Sequence, residues 1–443
     1  MQEVKMKKGK IFLSVIVFVL FLNSLSWGNG LNLNSLGSRA LAMGGAFVGL
    51  ADDFSAIFWN PAGIAQFKTE YFGFYGTDIM PSGKYKLTIP YPGLGNIAVV
   101  NARTPTKHYL GGLAAFYYPV SGNLVVGIGV YTPSGLGSKW NGEDFKLISA
   151  NKAYEWGSKV GVITISPAAA YKFNDKVSIG ATFNLNYGMF NIKTHGGSTE
   201  IPVYPYTLDL GQYEENMNAW GIGATFGILV KPSEMFSLGA TLRTASTIKF
   251  EGDAKMQYLS LLGLPGSSDL KRDVTWPMWL ALGVAFKPID KLTLTGDVQW
   301  TQWSKIDVMK TDFVDPYWKL MMAASGDDKR QMYWEDKAQI RFGAEYQISP
   351  VFALRAGYYW DPSPAPDRTM NVLLPNYDFN VLTFGIGYAL DTLKLEFGVE
   401  YLMGRERTVD YLKVKTDPEW ATAMPGTYNM TILVPNISVS YKF

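Results

Sequence analysis

Apolar and polar positions alternate along much of this chain. In residues 177–189, Val177, Ile179, Ala181, Phe183, Leu185, Tyr187 and Met189 share one face, and Ser178, Gly180, Thr182, Asn184, Asn186 and Gly188 share the other. In residues 393–403, Leu393, Leu395, Phe397, Val399, Tyr401 and Met403 oppose Lys394, Glu396, Gly398 and Glu400. In residues 339–348, Ile340, Phe342, Ala344, Tyr346 and Ile348 oppose Gln339, Arg341, Gly343, Glu345 and Gln347. A period of two is that of a β-strand with one greasy face. A soluble sandwich alternates as well, so strand length and the chemistry of the polar face must separate the two. The runs last about ten residues or more, near the 9–11 needed to cross a bilayer at a tilt. Their polar faces carry paired charges and glycine, as a wet lumen would. Tyr358 and Trp360 sit near a run end, where an interfacial girdle belongs.

Such runs fall near residues 69–80, 108–118, 123–133, 158–172, 177–191, 218–231, 235–250, 275–287, 291–306, 337–348, 351–361, 379–390, 393–405 and 430–443. Short turns (118–123, 173–176, 231–234, 287–290, 347–350, 390–392) alternate with longer polar stretches, the asymmetry of periplasmic against outer loops. An even count puts both ends of the wall on the periplasmic side. Lipid solvates no backbone, so a spanning sheet has to close. The pattern predicts an all-β membrane protein, a 14-stranded antiparallel outer-membrane β-barrel. The first run is the least defined, because Lys84–Pro90 and Asn96–Asn101 also read as strands. Pro435 donates no ladder bond, which predicts a bulge or kink there.

The N-terminus differs. Lys5, Lys7, Lys8 and Lys10 precede an apolar run from Ile11 to Leu22, and Ser26 and Gly28 follow at a spacing suited to cleavage. The run is too short for a membrane anchor, so residues 1–28 read as a cleaved signal peptide. Residues 29–68 do not alternate; they are rich in Gly and Ala with helical spacing in short pieces, and read as a plug too small to fold alone. Asn60 is placed to cap a turn that Pro61 begins. Phe58 and Trp59 should pack against the body of the plug. The barrel takes residues 69–443.

Composition then excludes several classes. The chain is 47% apolar and 18% charged. Removing the leader takes away four lysines and Glu3, so the formal charge goes from +2 to −1, which gives no support for nucleic-acid binding. With no Cys there is no disulfide, thiolate metal site or lipidated Cys. His108 and His195 are far apart with no evident Ser partner, so a catalytic triad is not expected, nor a metal or cofactor.

Residues 37–65, "GSRALAMGGAFVGLADDFSAIFWNPAGIA", resemble the N-terminal hatch of the FadL/TodX family of outer-membrane channels for long-chain fatty acids and other hydrophobic compounds. Phe58, Trp59, Asn60, Pro61 and Ala62 carry the hatch motif, and residues 126–140, "VGIGVYTPSGLGSKW", resemble the family's third strand and the loop after it. The C-terminal strand "NISVSYKF" resembles the last strand of bacterial outer-membrane barrels, in which the terminal aromatic, here Phe443, signals to the barrel-assembly machinery. The resemblance implies a hatch filling the barrel, ligand capture in an apolar groove of the outer loops, and sideways release into the membrane at an inward kink of the third strand. Gly127, Gly129 and Pro133 are then the candidate lateral-gate residues, and Tyr258, Leu259, Leu261, Leu262 and Leu264 the candidate groove, packed against the loop 198–213 or open beside it. The implied partners are a hydrophobic, fatty-acid-like small molecule and the outer-membrane lipids with lipopolysaccharide, and the implied state is a monomer. Transport would be passive.

Arg39, Asp52 and Asp53 lie in the hatch, and Asp297, Arg341, Glu345, Arg355, Lys394, Glu396 and Glu400 should face the lumen, where pairing that holds the plug is favoured over binding of a carboxylate headgroup. Two other functions compete: a general porin for small solutes, and an outer-membrane lipid-active enzyme. A TonB-dependent receptor would need about 22 strands, more than this length supplies beside a plug.

Overall fold

The computed structural model describes residues 30–93, 95–200 and 207–443. The expected leader lies outside the described residues, as do residues 201–206 of the loop 198–213.

Among the described residues the wall has fourteen strands: β1 Tyr71–Tyr91, β2 Tyr109–Pro119, β3 Leu124–Trp140, β4 Trp156–Asn174, β5 Val177–His195, β6 Gln212–Ser233, β7 Phe236–Arg243 continued by Ser246–Met256, β8 Ser267–Trp276 continued by Trp279–Ile289, β9 Leu292–Thr301, β10 Lys337–Ser349, β11 Phe352–Asp361, β12 Phe379–Leu390, β13 Leu393–Gly404 and β14 Gly426–Lys442. Each pairs antiparallel with its neighbour, and β1 closes the barrel against β14 from Tyr71↔Lys442 to Lys86↔Thr427. No helix among the described residues is long and apolar enough to cross a membrane; the strands do so.

The alternation sets the faces. On β5, Ile179 and Phe183 point outward and are exposed, whereas Ser178, Thr182 and Asn184 point inward and are buried. At hatch height the inner surface is a polar ladder. Ser166 donates to Asn184 at 2.6 Å, Asn184 to Thr225 at 3.0 Å, and Asn186 to Ser246 at 3.0 Å.

The structure extends or corrects several boundaries. β1 runs past residue 80, and its outer part forms a hairpin with Gly95–Arg103, in register from Lys84↔Arg103 to Tyr91↔Gly95 with one shift. Both extra strand candidates are therefore real; Lys84–Lys86 still pairs with β14, and the segment beyond belongs to the hairpin alone. β3 continues through residues 134–140, expected as loop. The eighth strand starts at Ser267, eight residues before its expected boundary, and is interrupted at Pro277, which cannot donate to a ladder. Pro435 produces no bulge. The ladder to β1 lacks pairs between Thr77↔Asn436 and Met80↔Leu433, while β13 stays in register through Val399↔Pro435. The missing N–H thus costs a local interruption rather than a register shift.

Residues 30–67 fill the lumen as short turns: a helix Ser38–Ala42, a helix Ala56–Trp59 and a 3-10 turn Pro61–Gln66. The first helix ends at Met43 because Gly44 and Gly45 follow at φ 66 and 64, a left-handed conformation that glycine adopts without strain. A Cβ at Gly44 would also sit 3.1 Å from the Tyr358 backbone nitrogen, so this turn lies directly on the wall.

Candidate functional site

The hatch is held by its own motif and by charged wall residues. Asn60 Nδ2 donates to the Val48 carbonyl at 2.9 Å and to the Ile228 carbonyl of β6 at 3.0 Å, and its Oδ1 accepts from Ala62 N at 3.1 Å. One side chain therefore caps the 3-10 turn, ties two hatch segments together and joins them to the wall. Pro61 starts that turn, and Ser178 of β5 donates to the Ala62 carbonyl at 3.0 Å. Phe58 and Trp59 meet edge to face at 4.9 Å; Trp59 donates to the Leu36 carbonyl at 2.9 Å, and the Arg243 guanidinium lies 4.5 Å over the Phe58 ring.

The expected lumen charges converge on this segment. Arg39 pairs with Glu345 (2.7 Å) and with Asp52. Arg355 also reaches Glu345 (2.7 Å) and Glu396 (3.1 Å). Asp297 accepts from the backbone nitrogens of Phe47 (2.9 Å) and Val48 (3.0 Å), and Arg341 donates to the Gly44 carbonyl at 3.0 Å. Burial works against the Arg39 charge, but Asp52 and then Glu345 outweigh it and hold the guanidinium pKa up. Burial, then the charge of Glu396, push the Asp53 carboxyl up to about 6, against the pull of Arg39. These ions lock the hatch in place.

On the third strand, Gly127 and Gly129 lie in the regularly paired stretch, opposite Tyr117 and Ala115. A Cβ at Gly127 would strike the Tyr117 ring, and one at Gly129 would lie 2.9 Å from Ile57 of the hatch. Pro133 lies higher, where pairing fails. The β2 ladder stops at Leu113↔Tyr131, and the β4 ladder breaks between Tyr131 and Ser134. There β3 turns to the hatch instead: Leu33 N donates to the Pro133 carbonyl at 3.0 Å, Gly135 N to the Leu31 carbonyl at 3.1 Å, and Ser134 Oγ to the same carbonyl at 2.6 Å.

Two cavities meet at this break. A wall cavity of about 450 Å³ runs between Pro81, Leu110, Thr132, Val162 and Met189. A lumenal cavity of about 110 Å³ lies against hatch residues Asn32, Asn34 and Ser35 and wall residues Tyr75, Leu402 and Val434. Leu33, Ile79, Gly135, Met430 and Ile432 line both.

Above the hatch the lumen turns apolar, which the alternation did not foretell. Trp156, Phe145, Tyr85 and Tyr428 form a column with ring spacings of 4.9, 6.0 and 4.8 Å. The loop 362–378 folds over it: Trp140 donates to the Val372 carbonyl at 2.8 Å and Ser158 to Leu373 at 2.5 Å. In the outer loop 257–266, Leu259 is buried, Tyr258 and Leu264 are half-buried, and Leu261 and Leu262 are exposed. Tyr258 N donates to the Leu210 carbonyl of the neighbouring loop at 3.0 Å. A helix missed in the sequence, Pro316–Ser325, adds exposed Tyr317 and Leu320 on the adjoining loop, tied in by a 2.7 Å bond from Trp318 to the Pro265 carbonyl. Its signal was the Asp315–Pro316 start, with Asp315 capping the first turn.

Residues 19–443 match the outer membrane protein transport protein family (OMPP1/FadL/TodX). The chain belongs to that family. Among its relatives is a long-chain fatty acid transport protein of Escherichia coli O6:H1, 23% identical, with 89% of this chain and 91% of that protein covered. Outer membrane protein P1 of Haemophilus influenzae is 22% identical, with 84% and 86% covered. A Pseudomonas aeruginosa FadL homologue has a similar fold (TM-score 0.77, 16% identity, 94% of this chain and 100% of that one). The Pseudomonas putida toluene transporter TodX follows with TM-score 0.71, 17% identity and coverage of 94% and 100%. This FadL/TodX-type barrel is an outer-membrane transport protein.

Proposed function

We propose that this barrel takes up hydrophobic molecules passively, receiving them at the outer loops and releasing them sideways into the membrane beside Pro133. The observation that supports this reading is the pair of cavities sharing Leu33, Gly135 and Ile432, one against the hatch in the lumen and one in the wall. The relatives named as fatty acid and toluene transporters support the class of cargo. The physics agrees: each buried methylene is worth about 0.8 kcal/mol, so a greasy chain gains little from a wet pore and much from a direct exit into lipid. The exposed Leu261, Leu262, Tyr317 and Leu320 serve as the receiving surface, and the aromatic column as the way inward. The lock of Arg39, Asp297 and Asn60 keeps water and small solutes from crossing. Phe443, exposed beside Tyr441 at a ring spacing of 4.8 Å, remains open for recognition during assembly.

Uptake of a labelled hydrophobic compound by cells that express the protein, set beside conductance in planar bilayers, tests this reading. Uptake without large steady channels supports it. Large steady channels without hydrophobic uptake would make the protein a porin.

A further inference from the structure

Whatever the cargo, we infer that the outward face of β1, β3 and β4, just above the lipid band, binds the phosphates of an outer-leaflet glycolipid, the lipid A part of lipopolysaccharide. Lys84 and Lys86 of β1, Lys139 of β3 and Lys159 of β4 are exposed, while Tyr85, Leu87, Ser138, Trp140, Ser158 and Val160 beside them in the strands are buried. The alternation therefore turns these four ammonium groups away from the lumen. Arg103 joins them, exposed and directly opposite Lys84 in the outer hairpin. Lys139 pairs with Gly157 and Lys159 with Gly137, so the two lysines are diagonal neighbours on one ladder. Their height follows from the strand rise. Lys84 stands twelve positions beyond lipid-facing Phe72, and Lys159 twelve before lipid-facing Tyr171, both near the periplasmic rim. Twelve residues of a tilted strand climb about 30 Å, and the apolar band of such a barrel is about 25 Å tall. The cations thus sit at its outer edge, where head groups lie.

Charge pairing sets this face apart. Among the described residues none of the five cations has an ion-pair partner. The acids around them are engaged: Asp78 with His108 at 2.6 Å, Glu143 with Lys146 at 2.5 Å, Glu155 with Lys193 at 3.4 Å, and Asp144 with the Arg103 backbone nitrogen at 3.5 Å. Further round the wall, the outward residues of β7 and β8 alternate in sign instead. Lys249 stands opposite Asp273, Lys271 meets Glu251 at 2.9 Å, and Lys255 meets Asp253 at 3.3 Å. That face neutralises itself, whereas the first carries positive charge that only an outside anion can match. Lipid A carries two phosphates on one disaccharide, so cations fixed on adjacent strands can meet both at once. Lys159 also lines the wall cavity with Pro81 and Leu110, which puts the bound glycolipid at the rim of that cavity.

The test is competitive retention of lipids. Protein extracted in a nonionic detergent and washed free of lipid is offered equal amounts of diphosphoryl lipid A, its dephosphorylated form and phosphatidylglycerol. Lipid retained per barrel is measured by mass spectrometry against empty micelles. Diphosphoryl lipid A should be retained well above the other two. Lys84→Gln/Lys86→Gln/Lys139→Gln/Lys159→Gln should lower its retention about tenfold or more, since each lysine that meets a lipid phosphate adds roughly fivefold. Lys249→Gln/Lys255→Gln/Lys271→Gln, on the self-paired face, should leave it unchanged; heat-modifiable migration on gels confirms that both variants fold. Equal loss in the two variants, or no loss in the first, overturns the inference. So does a parent that holds no lipid A, that holds the dephosphorylated form as well, which would make the acyl chains the ligand, or that holds phosphatidylglycerol as well, which would make the face one for any anionic lipid. None of these results bears on hydrophobic uptake, which the transport assay tests separately.

Discussion

Arg39 of the hatch and Glu345 of β10, 306 positions apart in sequence, face each other as a two-pronged pair, Nε to Oε2 at 2.7 Å and Nη2 to Oε1 at 2.8 Å. Fork-to-fork geometry of this kind fixes orientation as well as distance. Replacing Arg39 by Met keeps the stem and leaves Asp52 unpaired. Breaking a buried pair costs about 3–5 kcal/mol; the lower end applies here because Arg355 still holds Glu345. Limited proteolysis should then cut the hatch in a barrel that still forms, and Arg39→Met/Glu345→Met should recover part of the loss. An Arg39→Met protein as resistant as the parent would show that the pair does not hold the hatch.

Asn60 is tested by a substitution that keeps its shape. Asn60→Asp retains the acceptor for Ala62 N but loses both donors and sets a carboxylate against the Val48 and Ile228 carbonyls. A loss of about 2–4 kcal/mol follows from the unpaired buried groups, at least as large as that of Asn60→Ala. Denaturant unfolding followed by hatch tryptophan fluorescence measures it. Equal stability of Asn60→Asp and the parent would remove the central bond set from the account.

Close approach of hatch to wall makes Gly239→Ala another sharp case. Its Cβ would land on the Val48 carbonyl, whereas one at Gly122, in a periplasmic turn, meets nothing within 4 Å. Overpacking against backbone costs about 1–3 kcal/mol or more. Gly239→Ala should loosen the hatch and raise bilayer conductance, and Gly122→Ala should leave it as it was. Silence from both would contradict the tight seating of residue 48.

The Asp53 carboxyl, pushed up to about 6 by burial and Glu396, gives a pH dependence of known sign. An unfolded Asp titrates near 3.9, so between these values the folded protein binds the proton more readily. Stability from this group is gained as pH falls through 6 and lost as pH rises. From pH 7.5 to 5 the gain is about 1 kcal/mol. Thermal melts of Asp53→Asn beside the parent isolate it: the difference between the two should change over this window, and a difference constant with pH would rule the titration out.

Much of this architecture was legible in the chain. Lipid-facing Ile179, Phe183, Phe397 and Tyr401 alternate with lumenal Ser178, Thr182, Glu396 and Glu400, and the structure keeps those faces. Asn60 and Pro61 announced a capped turn, and the lumen charges announced an anchored plug. What remained hidden has physical reasons. Near Phe190 and Ile192 the inner face becomes apolar too, so period two loses its contrast where the lumen turns greasy. The loop 362–378 lacks periodicity because its Val372, Leu373 and Leu374 are buried by folding over the lumen, not by sheet pairing. The glycines at 127 and 129 drew attention to the third strand, yet the pairing breaks above them, at Pro133, where the hatch segment 31–33 takes the backbone bonds. Pro133 itself was among the candidates, but the hatch segment that takes over its bonds lies a hundred positions away and leaves no local pattern.

Passage through the wall beside Pro133 is tested most directly at Gly135, which lines both cavities and whose added Cβ would come no nearer than 3.8 Å to Leu33. The chain has no Cys, so Gly135→Cys carries a single thiol that a methanethiosulfonate reagent of increasing size can label and a reductant can clear. Initial uptake of a labelled hydrophobic compound should fall by about tenfold with the largest label, recover on reduction, and stay unchanged when Gly122→Cys is labelled instead. Full uptake with Gly135→Cys completely labelled would contradict the lateral route.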